Sequence, residues 1–460
     1  MKRGRQVFRG RRRFARAALL VGALGALGAL DALGALGAAG LASASPATAI
    51  RAAWVQYGPN GAIEARAVLA RSAGGCPRVR IDGAERAMQL RAPADGAFPA
   101  MCGVRIPAGT SALLLAGRAL PLPAADPRRI VVIGDTGCRI DASTVQDCLD
   151  PRRWPFPRLA AEEAKVKPDL VIDVGDYLYR ESACPAADAA CAGSAHGDNW
   201  PTWNADFFAP AAPLLAAAPW VLVRGNHEQC ARAGMGWLRL LGPLPVGAAG
   251  TCARNLAPYT VTIGGLHLIV MDDANAPDVL LASSLVPTYR REFATLAQAP
   301  ARSWLLMHRP IWGAIAGPLD IPIGGNRTLI AAIGRAGVPP PVQLMLAGHI
   351  HSFEALNYGG AQRVPPQIIA GFGGDLLDHT PLVLGGAIFQ GDSGVTVTRG
   401  VSIPGFGFVV LRRAARGWDV EVHDVSGRLE SRCWFRGGRL GCAPRRLDDL
   451  MRAHHGSGAG

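Results

Sequence analysis

The sequence predicts an α/β fold with a small β domain ahead of it. Two observations carry the α/β part. Five apolar runs each end in a polar turn, and stretches of helical character separate some of them. Runs of this kind read as buried strands, and polar ends on several of them imply a sheet whose carboxyl edge carries a site. The third observation concerns residues 50–122. There, short alternating runs are broken by Gly, Pro and Asp, and nothing of helical length appears, which reads as a small β domain.

The chain has 460 residues, room for one large domain plus a small one. Hydrophobic residues make up 49% and charged residues 18%, so a packed core is feasible and wholesale disorder is excluded. The formal net charge is +13, but residues 1–44 hold eight Lys/Arg and one Asp, leaving 40 basic and 34 acidic residues and a net charge of +6. Such an excess favours anionic substrates by long-range attraction. It forms no single basic run, so no nucleic-acid partner is expected.

Residues 1–44 read as a targeting segment. A basic run ends in Arg11-Arg12-Arg13-Phe14, a Gly/Ala/Leu stretch follows, and Ala42-Ser43-Ala44 supplies a small-residue cleavage pattern. The Arg-Arg-x-Phe core resembles a twin-arginine export signal. Asp31 interrupts the apolar stretch, and a permanent membrane helix tolerates a central carboxylate poorly. The expectation is export to the periplasm or the medium, with no stable membrane anchor once the signal is removed. Ten cysteines agree with an oxidising compartment. Proximity suggests the pairs Cys76–Cys102, Cys138–Cys148, Cys184–Cys191, Cys230–Cys252 and Cys433–Cys442, although sequence alone does not fix connectivity.

Element by element, Ala52–Tyr57 and Ser111–Leu115 read as strands of the N-terminal β domain, and Pro121–Pro127 as a linker. The strands of the large domain, expected over 128–425, then follow. Ile130–Ile133 ends in Gly134-Asp135, Leu170–Val174 in Gly175-Asp176, and Trp220–Val223 in Gly225-Asn226-His227-Glu228. Trp304–Met307 ends in His308, and Val342–Leu346 in Gly348-His349-Ile350-His351. Pro157–Val166 and Pro287–Gln298 are helical candidates. Gly407–Val425 reads as a closing hairpin, 426–449 as a disulfide-bearing extension and 450–460 as a disordered tail.

The strand ends present Asp135, Asp176, Asn226, His308, His349 and His351, oxygen and imidazole ligands suited to Mn, Fe or Zn. Two metals about 3.5–4 Å apart can activate a water and clamp both the attacking and the leaving oxygen of a phosphoryl group. Each motif alone is common in ordinary turns. The ordered set of five, each after an apolar run, is not.

In this ordered set the chain resembles the calcineurin-like metallophosphoesterases, over about 130–425. Within them it is most similar to the purple acid phosphatases, because Gly137 stands where most relatives have a metal-binding His, and Tyr179 follows Asp176 by three residues. The resemblance implies a four-layer αββα sandwich. It implies Asp135, Asp176, Tyr179 and His351 at a ferric site, and Asn226, His308 and His349 at a site for divalent Fe, Zn or Mn, with Asp176 bridging. It also implies His227 as the group near the substrate oxygens, placed to protonate a leaving alkoxide. Glu228 and Asp173 are expected to orient ligand imidazoles.

One departure concerns the substrate. The stretch Gly313–Pro318 lacks the His pair that large plant-like members carry there, so Arg309 and His196 are the candidates for phosphate binding. Gly371-Phe372-Gly373-Gly374 is a candidate backbone cradle. The function expected is that of an exported acid-phosphatase-like hydrolase acting on small phosphomonoesters. Two other readings stay open: a phosphodiesterase without tyrosinate–iron, and a non-catalytic exported phosphate-binding protein.

Overall fold

The computed structural model describes residues 50–70, 75–246, 250–389 and 394–442. The expected export signal and the C-terminal tail lie outside them. Among the described residues, no helix is long and apolar enough to cross a membrane.

Two sheets form the centre of the molecule. In the larger, of eleven strands, Arg129–Ile133, Leu170–Asp173 and Trp220–Leu222 run parallel to one another. In the second, of seven strands, Leu266–Val270, Ser303–Leu306, Val342–Ala347 and Gln367–Ala370 run parallel. Their Val/Ile/Leu content follows from burial on both faces, since side chains alternate across a strand. Ile130, Val132 and Ile172 point between the sheets, where they meet Leu268, Trp304 and Leu346. Val131, Ile133 and Val171 point outward against helix Phe156–Lys165 and the aromatic cluster of Trp203, Phe207 and Phe208. Leu305, Met307 and Met345 point outward on the other side, against helices Val286–Thr295 and Arg327–Ile333. The result is the αββα arrangement, with a β-rich N-terminal part.

That N-terminal part does not stand apart from the larger sheet. Strand Ile50–Tyr57 pairs parallel with Trp220–Leu222 through Gln56 and Trp220, and carries Ile63–Leu69, Met101–Arg105 and Gln89–Ala92 outward as further strands. Its other face packs Val55, Ala65 and Ala67 on Val79, Leu113 and Leu115 of a separate four-stranded sheet. The opposite edge is built by the hairpin of Gly407–Arg413 and Trp418–Asp424, followed by Leu429–Arg436 and Arg439–Cys442. All five disulfides join the cysteines that proximity suggests. Both helical candidates form, over Phe156–Lys165 and Val286–Thr295. A three-stranded sheet of Ala314–Ala316, Pro322–Gly324 and Ile388–Phe389 has no counterpart in the sequence reading. Its strands are two or three residues long, too short to show alternation.

Candidate metal centre

The parallel strands of both sheets end at one edge, and the turns that follow converge. Three turn residues that are not glycine, Asp135, Asp176 and His349, have φ of 56°, 63° and 71°. Left-handed backbone at such residues costs free energy and persists where surrounding contacts fix it, a pattern that clusters at functional sites. At Asp176 those contacts are made by Glu228. Its carboxylate accepts from the N–H groups of Gly225, Asp176, Tyr177 and Leu178 at 2.9–3.2 Å. Glu228 therefore shapes the Asp176 turn and does not orient an imidazole, contrary to expectation. Asp173 likewise accepts from the Gly175 N–H at 3.0 Å. Backbone carbonyls orient the imidazoles instead: His308 Nδ1 donates to Val174 O at 2.8 Å and His351 Nδ1 to Leu376 O at 2.6 Å. A carbonyl only accepts, so both rings present Nε2 to the centre.

Two clusters result, and they share one atom. Tyr179 Oη lies 3.1 Å from Asp135 Oδ1, 2.9 Å from Asp176 Oδ2 and 3.1 Å from His351 Nε2. His308 Nε2 lies 3.1 Å from the same Asp176 Oδ2 and 2.9 Å from Asn226 Oδ1. His349 completes the second cluster: ligand atoms of Asp176, His308 and His349 all lie within 4.8 Å of one another. The other Asp176 oxygen accepts from the His227 N–H at 2.8 Å. Asp135, Asp176, Tyr179 and His308 are almost fully buried.

This donor set fits cations. It gathers carboxylates, imidazole lone pairs, an amide oxygen and a phenol, with few protons to place between them. Burial opposes the charged form of His308, yet Asp176, Asp135 and Asp273 outweigh it and push the imidazole up to about 9. His351 is pushed up to about 10, burial being outweighed by Asp375 and Asp135. Burial, then Asp135 and Asp176, raise the Tyr179 phenol well above its ordinary value. The negative potential that holds protons here would hold metal ions equally well.

Gly137 explains the exchange of His for Tyr at this site. A Cβ at 137 would stand 2.8 Å from the Tyr179 ring and 2.8 Å from Tyr177 O, closer than such atoms approach. The Tyr179 ring and a side chain at 137 exclude each other. Gly371, Gly373 and Gly374 do not form a phosphate cradle. A Cβ on Gly371 would meet Asp135 Oδ2, and the N–H groups of Gly371 and Gly373 are spent on Ser352 O and Gly134 O.

Residues 128–353 match the family model of the calcineurin-like phosphoesterases. This part of the chain is a calcineurin-like phosphoesterase domain. The chain is 22% identical over 258 residues to purple acid phosphatase 23 of Arabidopsis thaliana, covering 52% of this chain and 50% of that one. It thus spans about half the length of the curated relative it matches. A solved purple acid phosphatase from yellow lupin (Lupinus luteus) seeds superposes with a TM-score of 0.52 at 15% identity, covering 83% of this chain and 73% of that one, a likeness of fold.

The phosphoesterase domain opens its centre to a cavity of about 510 Å3, lined in part by Asp176, Asn226, His227, His349 and His351. His227 lies against the Tyr179 ring, with centroids 3.8 Å apart, and its Nδ1 is 2.9 Å from Glu181 Oε1. Arg232 bonds both Glu181 and His227. Arg309 is buried and engaged: its guanidinium contacts Asp278 and lies 3.0 Å from His349 Nε2. His196 is exposed and is not among the cavity's lining residues; its carbonyl accepts from Asn199. The sequence reading missed Asp278, Glu181, Arg139 and Arg232. Asp273 had a visible signal, since Val270-Met271-Asp272-Asp273 is another apolar run with a polar end, and its carboxylate receives the N–H groups of His308 and Arg309.

Proposed function

We propose that this chain is an exported phosphatase that hydrolyses phosphomonoesters at a two-metal centre. The observation that carries the proposal is Asp176 Oδ2, which lies 2.9 Å from Tyr179 Oη and 3.1 Å from His308 Nε2 and so joins two donor clusters through one atom. One cluster, Asp135, Asp176, Tyr179 and His351, would hold a ferric ion, for which a phenolate is a hard anionic donor. The other, Asp176, Asn226, His308 and His349, would hold divalent Fe, Zn or Mn. Bound there, the two ions supply charge neutralisation and water activation.

The chain's own residues do the rest. His227 lines the cavity with Nδ1 2.9 Å from Glu181 Oε1 and Nε2 3.1 Å from Arg232 Nη2, and is the group assigned here to protonate the departing alkoxide. Arg139, paired with Asp375, and Arg232, paired with Glu181, line the cavity and are the nearer candidates for the phosphate. Arg309, paired with Asp278 and not among the cavity's lining residues, is the weaker candidate for phosphate binding. Export is supported by five disulfides, which persist in oxidising compartments.

Metal analysis and assays on a chromogenic monoester and diester test the proposal. The protein is expected to carry two ions per chain and to prefer the monoester. Asp176→Ala and His349→Ala should lose metal and turnover together; full activity in either variant would sink the assignment. A broad visible band, lost in Tyr179→Phe, is expected of tyrosinate–iron; a colourless, iron-free, active protein would reject it.

A further inference from the structure

Besides the ligand residues and Asp278 and Asn326, the cavity has an aliphatic part to its lining. Ile315, Ile323, Val279 and Pro310 line it. Ile315 and Ile323 are directly paired across the strands Ala314–Ala316 and Pro322–Gly324, and Ile323 is paired in turn with Ile388. Paired residues share a face of a sheet, so three isoleucines form one aliphatic stripe across the three-stranded sheet. The stripe is open: Ile315 is 40% exposed and Ile388 57%, and Val279 at the cavity rim is 65% exposed. Isolated exposed aliphatics are ordinary. An aligned set beside a catalytic centre marks a surface that a ligand covers.

We infer that this stripe receives an apolar alcohol group of the substrate. The inference rests on the phosphatase reading above. An ester bound with phosphorus over Asp176 and His349 would place its alcohol part in the rest of the same cavity, where Val279, Pro310, Ile315 and Ile323 supply an apolar surface. The substrate class is therefore a phosphate monoester of an alkyl or aryl alcohol, not of a sugar or polyol. Hydrolysis balances simply: the water oxygen bonds to phosphorus, the P–O bond to the alcohol breaks, and the alcohol leaves with a proton while inorganic phosphate remains. Ile315 and Ile323 act as specificity determinants, with no part in the bond changes.

The test uses the metal-loaded full chain and a series of n-alkylphosphonates, which bind without being hydrolysed. Affinity measured by calorimetry should rise about three- to fourfold per methylene from ethyl to hexyl, the worth of burying one such group. In Ile315→Thr/Ile323→Thr, which keeps β-branched residues in both strands, the hexyl-to-ethyl ratio should fall at least about tenfold. A ratio near unity in the parent protein, or an undiminished ratio in the double variant, overturns the inference. Turnover of phenyl phosphate is measured on the same samples. A steep phosphonate series without turnover would reject the phosphatase reading and leave the apolar wall standing; turnover with a flat series would do the reverse.

Discussion

Glu163 shows how far single residues depart from solution behaviour here. It sits on helix Phe156–Lys165, fully buried, with neither carboxylate oxygen hydrogen-bonded. Burial raises its carboxyl well above the ordinary value of 4.5. The sign follows directly. Below the unfolded value, both states are protonated and no penalty exists. As pH rises above 4.5, the unfolded chain ionises and the folded chain does not, so stability falls until the folded group also ionises. Glu163→Gln should therefore stabilise the protein at pH 7. The gain should vanish near pH 4. Denaturant melts at the two pH values read the difference, and an equal effect at both would refute it.

At the scale of elements, the turn after strand Leu170–Asp173 owes its shape to one side chain in another turn. With four N–H groups converging on its carboxylate, Glu228 holds Asp176 in its left-handed conformation from the far side of the site. Glu228→Gln replaces an accepting oxygen by a donating amide. Metal affinity should drop about 10- to 100-fold, the usual cost of losing a group that supports ligands, while the strands remain intact. Competition with a coloured chelator measures it, and unchanged affinity would show that the turn holds itself. This scale is also where the sequence was most and least legible. The strands of the centre announce themselves because they are apolar throughout and stop at a ligand. Asn226, His308 and both histidines of Gly348–His351 follow from that punctuation, whereas Tyr179 comes only from the resemblance to the purple acid phosphatases. Glu228 was visible as a residue but not in its role, since the turn it holds lies far away in the chain. Asp278 reaches His349 at 2.9 Å from a loop with no periodic signal at all. The short strands around Ile315 and Ile323 lie below the length at which alternation can be read.

At the scale of the whole molecule, the parallel pairing of Gln56 with Trp220 makes the N-terminal β region a continuation of the catalytic sheet. Deleting residues 50–122 would bare the unpaired edge of Trp220–Leu222, a template for non-native strand addition. The shortened chain should be insoluble and metal-poor; a soluble, active fragment from such a deletion would show the β region to be dispensable. The same pairing also sets an order of assembly. Strand Ile50–Tyr57 is synthesised long before Trp220 exists, and until then it has only its antiparallel neighbour Ile63–Leu69. Pairings distant in sequence close slowly, so a nascent or extruded stretch of this chain cannot finish its sheet. The waiting strand is vulnerable for as long as the chain is incomplete, and a partner that shields it would speed maturation without touching the metal centre.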